Sequence, residues 1–282
     1  MNPSLRLNTY ARFVKFEHTI FSLPLIVAGT LIHTHAWPET RLLVFIVLAA
    51  IGGRILAMGL NRIIDSGIDA HNPRTALREL PRKAMRPWEA WIIVFAAGLL
   101  YGISAASIAP ICLWLSPIPV VLFVIYPYLK RFTTLCHLGL GVAWSMAPLG
   151  GWLAASQSLS GFGQILWLWV FSILWVAGFD IIYATMDEAF DREWGLHSLP
   201  ARVGRRKALQ MSQLIHCLAF ASLMMLWATQ LQRPRSWVWL AGIALLFIAQ
   251  HRIAERHPTF AFFQINAALG FFVFGLVLAG LD

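Results

Sequence analysis

Apolar runs of roughly twenty residues recur along this chain, and no other feature of the sequence limits its fold so tightly. A helix needs about 20 apolar residues to cross the hydrocarbon core of a bilayer. Runs that meet or approach that length lie at 16–36, 41–66, 88–109, 111–128, 135–156, 164–187, 207–230, 236–250 and 260–281. Pro110, Ser116-Pro117-Ile118-Pro119 and Gly161-Phe162-Gly163 punctuate the gaps. Nine spans leave about 100 of the 282 residues for loops and ends, so nine fit and twelve do not. Only 12% of residues are charged, against about 25% in a soluble domain. Mean hydropathy is +0.67, and a soluble fold of this size could not bury so much apolar surface. A β-barrel would show short alternating segments instead. The expectation is an all-α integral membrane protein: nine transmembrane helices in one bundle, forming a single membrane domain over 1–282.

Cys112, Cys136 and Cys217 lie far apart in or near apolar runs and read as small buried hydrophobes rather than a disulfide or metal framework. No small-residue cleavage site follows the first apolar run, so no cleavable signal peptide is expected.

Lysine and arginine orient the chain. The N-terminus carries Arg6, Arg12 and Lys15, and the 62–87 stretch carries Arg62, Arg74, Arg78, Arg82, Lys83 and Arg86. Lys130 and Arg131 follow the fourth span. Arg192, Arg202, Arg205, Arg206 and Lys207 follow the sixth, and Arg252 and Arg256 the eighth. These are 18 of the 22 basic residues. They place the N-terminus and the even-numbered connections in the cytoplasm and the C-terminus outside, as in a bacterial cytoplasmic membrane. The formal charge of +9 then belongs to one membrane face, and no nucleic-acid partner is needed to explain it.

Acidic residues number only 13, and two groups of them are ordered. Asn61, Asp65 and Asp69 are spaced i, i+4, i+8, one face of a helix, with Arg54 two turns earlier on that face. Asp180, Asp187 and Asp191 repeat the pattern with offsets of seven and four. Both groups sit at the cytoplasmic ends of their helices. Facing carboxylates repel unless a positive charge intervenes. Magnesium prefers oxygen ligands and is commonly held by one or two carboxylates plus substrate phosphates. Arg74, Arg78, Lys130 and Arg131, on adjacent basic segments, supply the cations a polyphosphate needs. The spacing therefore points to a metal–phosphate site.

These residues resemble a known family. Asn61-Arg-Ile-Ile-Asp65-Ser-Gly-Ile-Asp69-Ala-His-Asn-Pro-Arg74-Thr75 is similar to the first Asp-rich motif of the UbiA-type membrane prenyltransferases. Phe179-Asp180-Ile-Ile-Tyr183-Ala-Thr-Met-Asp187-Glu-Ala-Phe-Asp191 is similar to the second. Lys15–Pro24, Tyr126–Thr133 and Gly195–Gly204 match further segments, so the likeness runs from about residue 12 to 205 in motifs. It is nearest to the branch of 4-hydroxybenzoate polyprenyltransferases, which includes enzymes of the futalosine route to menaquinone. After Arg78-Glu-Leu-Pro81 such sequences often place a glycine two residues on. Lys83 stands there instead, and a left-handed turn would cost more with a side chain.

The resemblance implies nine helices around a central cavity open to lipid. It also implies a magnesium-dependent transfer of a polyprenyl group from a polyprenyl diphosphate to a ring carbon of a hydroxylated aromatic acid, in quinone biosynthesis. That acceptor is 4-hydroxybenzoate or, alternatively, a dihydroxynaphthoate. Asn61, Asp65, Asp69, Asp187 and Asp191 would hold the metal, and Arg74, Arg78, Lys130 and Arg131 the diphosphate. Asp180, grouped with the catalytic carboxylates, would orient the acceptor or take its proton, or else simply hydrogen-bond a neighbouring helix. Arg54 would hold an acceptor carboxylate or simply pair with Asp180 or another Asp. Tyr183 is a further acceptor-site candidate. Tyr126, Tyr128 and Tyr183 would shelter an allylic cation or sit as interfacial aromatics. Glu17 and His18 are additional cavity candidates. No obligate protein partner is implied. An ion-coupled secondary transporter is the main rival, because intramembrane Asp residues also bind sodium or relay protons. Such sites usually lie near the bilayer midplane rather than beside basic loops.

Overall fold

A computed structural model of the chain describes residues 3–14 and 19–281. Eight helices in it are long and apolar enough to cross a membrane. These are α3 (Thr40–Ile64), α5 (Pro87–Ile108), α6–α7 (Pro110–Leu115 and Pro117–Leu129), α8 (Cys136–Ser156), α9 (Leu166–Ala184), α12 (Arg205–Gln230), α13 (Ser236–Ala254) and the Pro258–Leu281 unit. The expected first span appears as α2 (Thr19–Thr34), whose described apolar stretch is shorter. α2 nevertheless lies deep in the bundle between α8 and α15 (Asn266–Leu281). A Cβ on Gly29 or Gly151 would collide with the backbone carbonyls of Pro148 or Ile26, so small residues let α2 and α8 cross closely.

Several helices depart from the sequence expectation. An amphipathic N-terminal helix, α1 (Pro3–Val14), was not anticipated. It buries Phe13 and Val14 against Met85 and Ala90, and the Tyr10 hydroxyl donates to Glu89 (2.9 Å). The fourth run divides at Ser116, where Pro117 opens α7. The last unit begins as α14 (Pro258–Phe260), passes through a π-helical turn at Ala261–Ile265, and continues as α15. The Gln250 amide donates to the Ala261 carbonyl (3.0 Å) and to Asn266 Oδ1 (3.1 Å), while Trp175 Nε1 also donates to that oxygen (2.9 Å). This buried polar knot satisfies backbone that the π turn frees.

Packing divides the bundle unequally. One large apolar core joins α2, α8, α9, α12, α13 and α15 around Trp152, Phe171 and Trp175. Between α2, α3, α5, α7 and α8 lies a half-open cavity of about 390 Å3. Its wall is apolar and aromatic, with Tyr101, Trp144 and Trp152, and Arg54 is its charged residue.

Candidate active site

Both carboxylate groups straddle a helix break. The expected helix over 41–66 ends at Ile64, Asp65 is its C-cap, and Asp69 lies in a one-turn helix, α4 (Ser66–Asp69). The expected helix over 164–187 ends at Ala184. Asp187 is the N-cap of α10 (Glu188–Glu193), which carries Asp191. The same local contact marks both helix ends: Ser66 Oγ donates back to the Ile63 carbonyl (2.8 Å) and Thr185 Oγ1 to the Ile182 carbonyl (2.7 Å). A hydroxyl that bonds a carbonyl three residues back competes with continuation of the helix. The short helices then turn without losing register, because Asp69 N–H bonds Asp65 O and Asp191 N–H bonds Asp187 O (both 2.8 Å).

The carboxylates are buried and mostly paired. Asp65 receives Lys130 Nζ at 2.6 Å and Asn61 Nδ2 at 3.2 Å, both on Oδ2. Its Oδ1 is buried, makes no hydrogen bond and faces Arg131 Nη2 at 3.5 Å. Arg131 also donates to the Ile64 carbonyl (3.0 Å) and lies over the Tyr128 ring. Arg78 bonds Asp69 at 2.6 Å. Arg74 reaches across to the second group, pairing with both oxygens of Asp187 and donating to the Tyr183 hydroxyl (2.5 Å). Burial alone would lower the Arg74 pKa, but its hydrogen bonds to Asp187 and Tyr183, with their electrostatic attraction, outweigh it and hold the guanidinium charge more firmly than usual. Asp191 has no cation pair among the described residues. Burial raises its pKa, nearby Asp187 adds to this, and the Ser198 hydroxyl and Lys130 offset part of it.

Arg54 and Tyr126 line the cavity at the end nearest these groups, two turns before Asn61 and about one turn before Lys130. Arg54 has no ion-pair partner among the described residues, and its Nε is buried without a hydrogen bond. It does not pair with Asp180, whose Oδ2 instead meets His137 Nδ1 at 2.7 Å. Tyr183 stands beside Arg74 and Asp187. Glu17 and His18 lie outside the described residues.

Three contributors were not anticipated from sequence. Asn72 Oδ1 accepts the Arg74 N–H (2.9 Å) while its Nδ2 donates to Asp187 (2.9 Å), so an Asx turn aims Arg74 across the site. The Asn72-Pro73 pair was a visible turn signal. Arg62 and Glu79 form a buried ion pair at 2.8 Å that pins the loop carrying Arg74 and Arg78 to α3. His137 gave no sequence signal, because its partners are 43 and 62 residues away.

Among the described residues no three His, Cys, Asp or Glu side chains converge on one point. The donors are nevertheless all oxygens, split between two facing groups, and Asp65 Oδ1 is buried without a hydrogen bond. That set fits a hard cation taking one or two carboxylates from each group and its other ligands from a bound phosphate and water.

The bundle thus brings two Asp-rich helix breaks, threaded with cations, together beside a largely apolar cavity, a setting suited to a diphosphate with an apolar tail. The model of the UbiA prenyltransferase family matches residues 22–279, and the chain belongs to that family. It is 31% identical to the 4-hydroxybenzoate octaprenyltransferase of Vibrio vulnificus over 93% of this chain and 88% of that one. It is 28% identical to the Vibrio cholerae enzyme of the same name, over 95% of each. Among solved structures, an apo UbiA homologue from Aeropyrum pernix K1 superposes with a TM-score of 0.84 at 35% identity, covering 93% of this chain and 97% of that one. A UbiA homologue from Archaeoglobus fulgidus, solved with GPP and Mg2+ bound, shares the fold at a TM-score of 0.69 and 17% identity, covering 95% and 99%.

Proposed function

We propose that this protein transfers a polyprenyl group from a polyprenyl diphosphate to a ring carbon of a hydroxylated aromatic acid, 4-hydroxybenzoate, in quinone biosynthesis. It would do so at the cytoplasmic face of a bacterial membrane, with the N-terminus inside and the C-terminus outside. The observation that carries this reading is the Arg54 guanidinium, without an ion-pair partner among the described residues, on a largely apolar cavity wall beside two facing carboxylate groups already threaded with cations. An unpaired buried cation is costly, and an acceptor carboxylate satisfies it bidentately. The names of the Vibrio relatives agree with that acceptor.

The prenyl tail lies in the cavity, and its diphosphate sits between the two Asp groups. Asn61, Asp65, Asp69, Asp187 and Asp191 would hold magnesium, which supplies positive charge to the departing diphosphate. Arg74, Arg78, Lys130 and Arg131 exchange their carboxylate partners for phosphate oxygens and stabilise the same developing charge. The allylic C–O bond breaks with its electron pair left on diphosphate. The aromatic rings Tyr126 and Trp144 face the allylic cation through their negative faces, and the apolar wall keeps water from it. The acceptor ring carbon then forms the new C–C bond and loses its proton. Asp180 orients the acceptor hydroxyl and accepts the proton that the acceptor gives up.

Membranes containing the protein, incubated with geranyl diphosphate, magnesium and either 4-hydroxybenzoate or a dihydroxynaphthoate, test this by mass spectrometry, with Asp65→Ala as control. A magnesium-dependent 4-hydroxybenzoate adduct is expected. An adduct with the naphthoate alone would reassign the acceptor. No adduct with either acceptor or with longer donors, from inserted protein, would overturn the proposed reaction.

A further inference from the structure

We propose that His137 is the positioning residue that presents Asp180 to the aromatic acceptor, an inference that rests on the role given to Asp180 above. His137 occupies the first turn of α8 and is buried. On one side its Nδ1 lies 2.7 Å from Asp180 Oδ2, and on the other its Nε2 lies 3.1 Å from the backbone nitrogen of Leu199, the first residue of α11 (Leu199–Val203). A backbone N–H can only donate, so Nε2 carries the lone pair. The single ring proton then sits on Nδ1 and points at Asp180. The loop that follows the second Asp motif thus selects the imidazole tautomer, and the tautomer orients the carboxylate.

The position of the pair matters as much as its geometry. His137, Leu140 and Trp144 are spaced i, i+3, i+7 along α8, one face of that helix, and Leu140 and Trp144 line the cavity. His137 lies one turn beyond Leu140 on that face, toward the Asp motifs and just past the cavity wall, which neither it nor Asp180 forms. Asp180 lies on α9, seven residues before Asp187 and ahead of the helix break, its side chain is 23% exposed, and its Oδ1 makes no hydrogen bond among the described residues. One oxygen is held and the other is open. A carboxylate fixed in this way offers an acceptor hydroxyl a single direction of approach, and such fixed orientation raises the rate of the step rather than the affinity for the donor. The proton released by the acceptor goes to Asp180, and His137 keeps its own.

The test compares His137→Ala, His137→Asn, Asp180→Asn and the double variant His137→Ala/Asp180→Asn, all in the full-length membrane protein and normalised to folded material. His137→Ala should lower kcat by about tenfold or more, with KM for geranyl diphosphate changed by less than about twofold. Asn places an amide N–H where Nδ1–H was and should restore most of the loss. In the Asp180→Asn background, His137→Ala should cost less than about twofold more, because its effect passes through Asp180. Losses that multiply in the double variant, or failure of Asn to rescue, would overturn the proposal. Should the Ala variant not fold, 15N-histidine NMR of the native protein decides, with His137→Asn assigning the signal. A neutral ring protonated at Nδ1 is expected, and protonation at Nε2 or at both nitrogens would overturn it. Full activity of Asp180→Asn would instead remove the role of Asp180. A crippled Asp180→Asn beside a fully active His137→Ala would remove only that of His137.

Discussion

The two carboxylate groups share one local construction but are neutralised in different ways. In the first, Asp65 and Asp69 take their cations from Lys130 and Arg78, each group of contacts lying close to α3 and its following loop. In the second, Asp187 depends on Arg74, a residue of the first group's loop that reaches across the site, and Asp191 has no cation pair among the described residues. The loop after the first motif therefore serves both halves, whereas the loop after the second serves chiefly as scaffold. Its Leu199 N–H meets His137, and the His197 N–H bonds the Lys130 carbonyl at 2.7 Å. The asymmetry teaches that the charge link between the two halves runs through the segment 72–79 and the few side chains that hold it, while Lys130 and Arg131 serve Asp65 from the end of α7.

Removing a carboxylate is the strongest way to probe this comparison. Asp65→Ala and Asp187→Ala should each lower turnover by roughly a hundredfold or more, while the protein still inserts, since in the proposed mechanism each would remove a ligand of the magnesium that stabilises the leaving group. If only one of the two were inactive, the halves would not act on one diphosphate. The buried Arg62–Glu79 pair comes next. Glu79→Ala leaves a guanidinium buried without its partner, and breaking such a pair costs about 3–5 kcal/mol. A lowered thermal midpoint is expected, together with a raised KM for prenyl diphosphate as Arg74 and Arg78 lose their support. An unchanged KM in folded protein would show that the loop holds its Arg residues by other means.

Arg54→Ala probes the cavity rather than the charged site. It should raise KM for 4-hydroxybenzoate by about tenfold, the value of a charge-assisted contact, with KM for geranyl diphosphate unchanged. Equal effects on both substrates would move Arg54 from the acceptor to the diphosphate.

Much of this architecture was legible in the sequence because bilayer thickness imposes run lengths and period-3.6 spacing aligns side chains. The long spans fall within a few residues of their apolar runs, and Asn61, Asp65 and Asp69 do gather with Lys130 and Arg78. The helix breaks at Asp65 and at Thr185–Asp187 were missed because polar residues at i+4 spacing read as continuous helix. At both breaks a hydroxyl bonds the carbonyl three residues back, Ser66 to Ile63 and Thr185 to Ile182, a contact that spacing alone does not reveal. α1 was missed because Arg6, Asn8, Thr9 and Arg12 interrupt its apolar residues as in an ordinary surface segment, and its docking through Phe13, Val14 and Tyr10 depends on distant partners at Met85–Ala90. His137 and the Arg62–Glu79 pair depend on contacts between distant segments, which no local pattern encodes.

The smallest expected effect distinguishes the two motif loops by their backbone. The loop of the second half turns through left-handed glycines, Gly195 (φ 65°) and Gly204 (φ 83°). The loop of the first half makes its left-handed turn at Lys83 (φ 57°), where the resemblance suggested a glycine and where a side chain was expected to discourage that conformation. It is adopted because the residues on either side are fixed. Lys83 N–H bonds Leu80 O, Ala84 and Met85 N–H both bond Glu79 O, Met85 is buried, and Glu79 is held by Arg62. Left-handed backbone costs a residue with a Cβ about 1–2 kcal/mol, and glycine almost nothing, although glycine also adds freedom to the unfolded chain. Lys83→Gly should therefore stabilise the protein by up to about 1 kcal/mol, while Lys83→Val should destabilise it by more than that, because a β-branched side chain is worst at positive φ. Thermal unfolding in detergent measures both. A Gly variant less stable than the native protein would mean that the loop does not turn left-handed at Lys83, and the two motif loops would then differ in path as well as in charge.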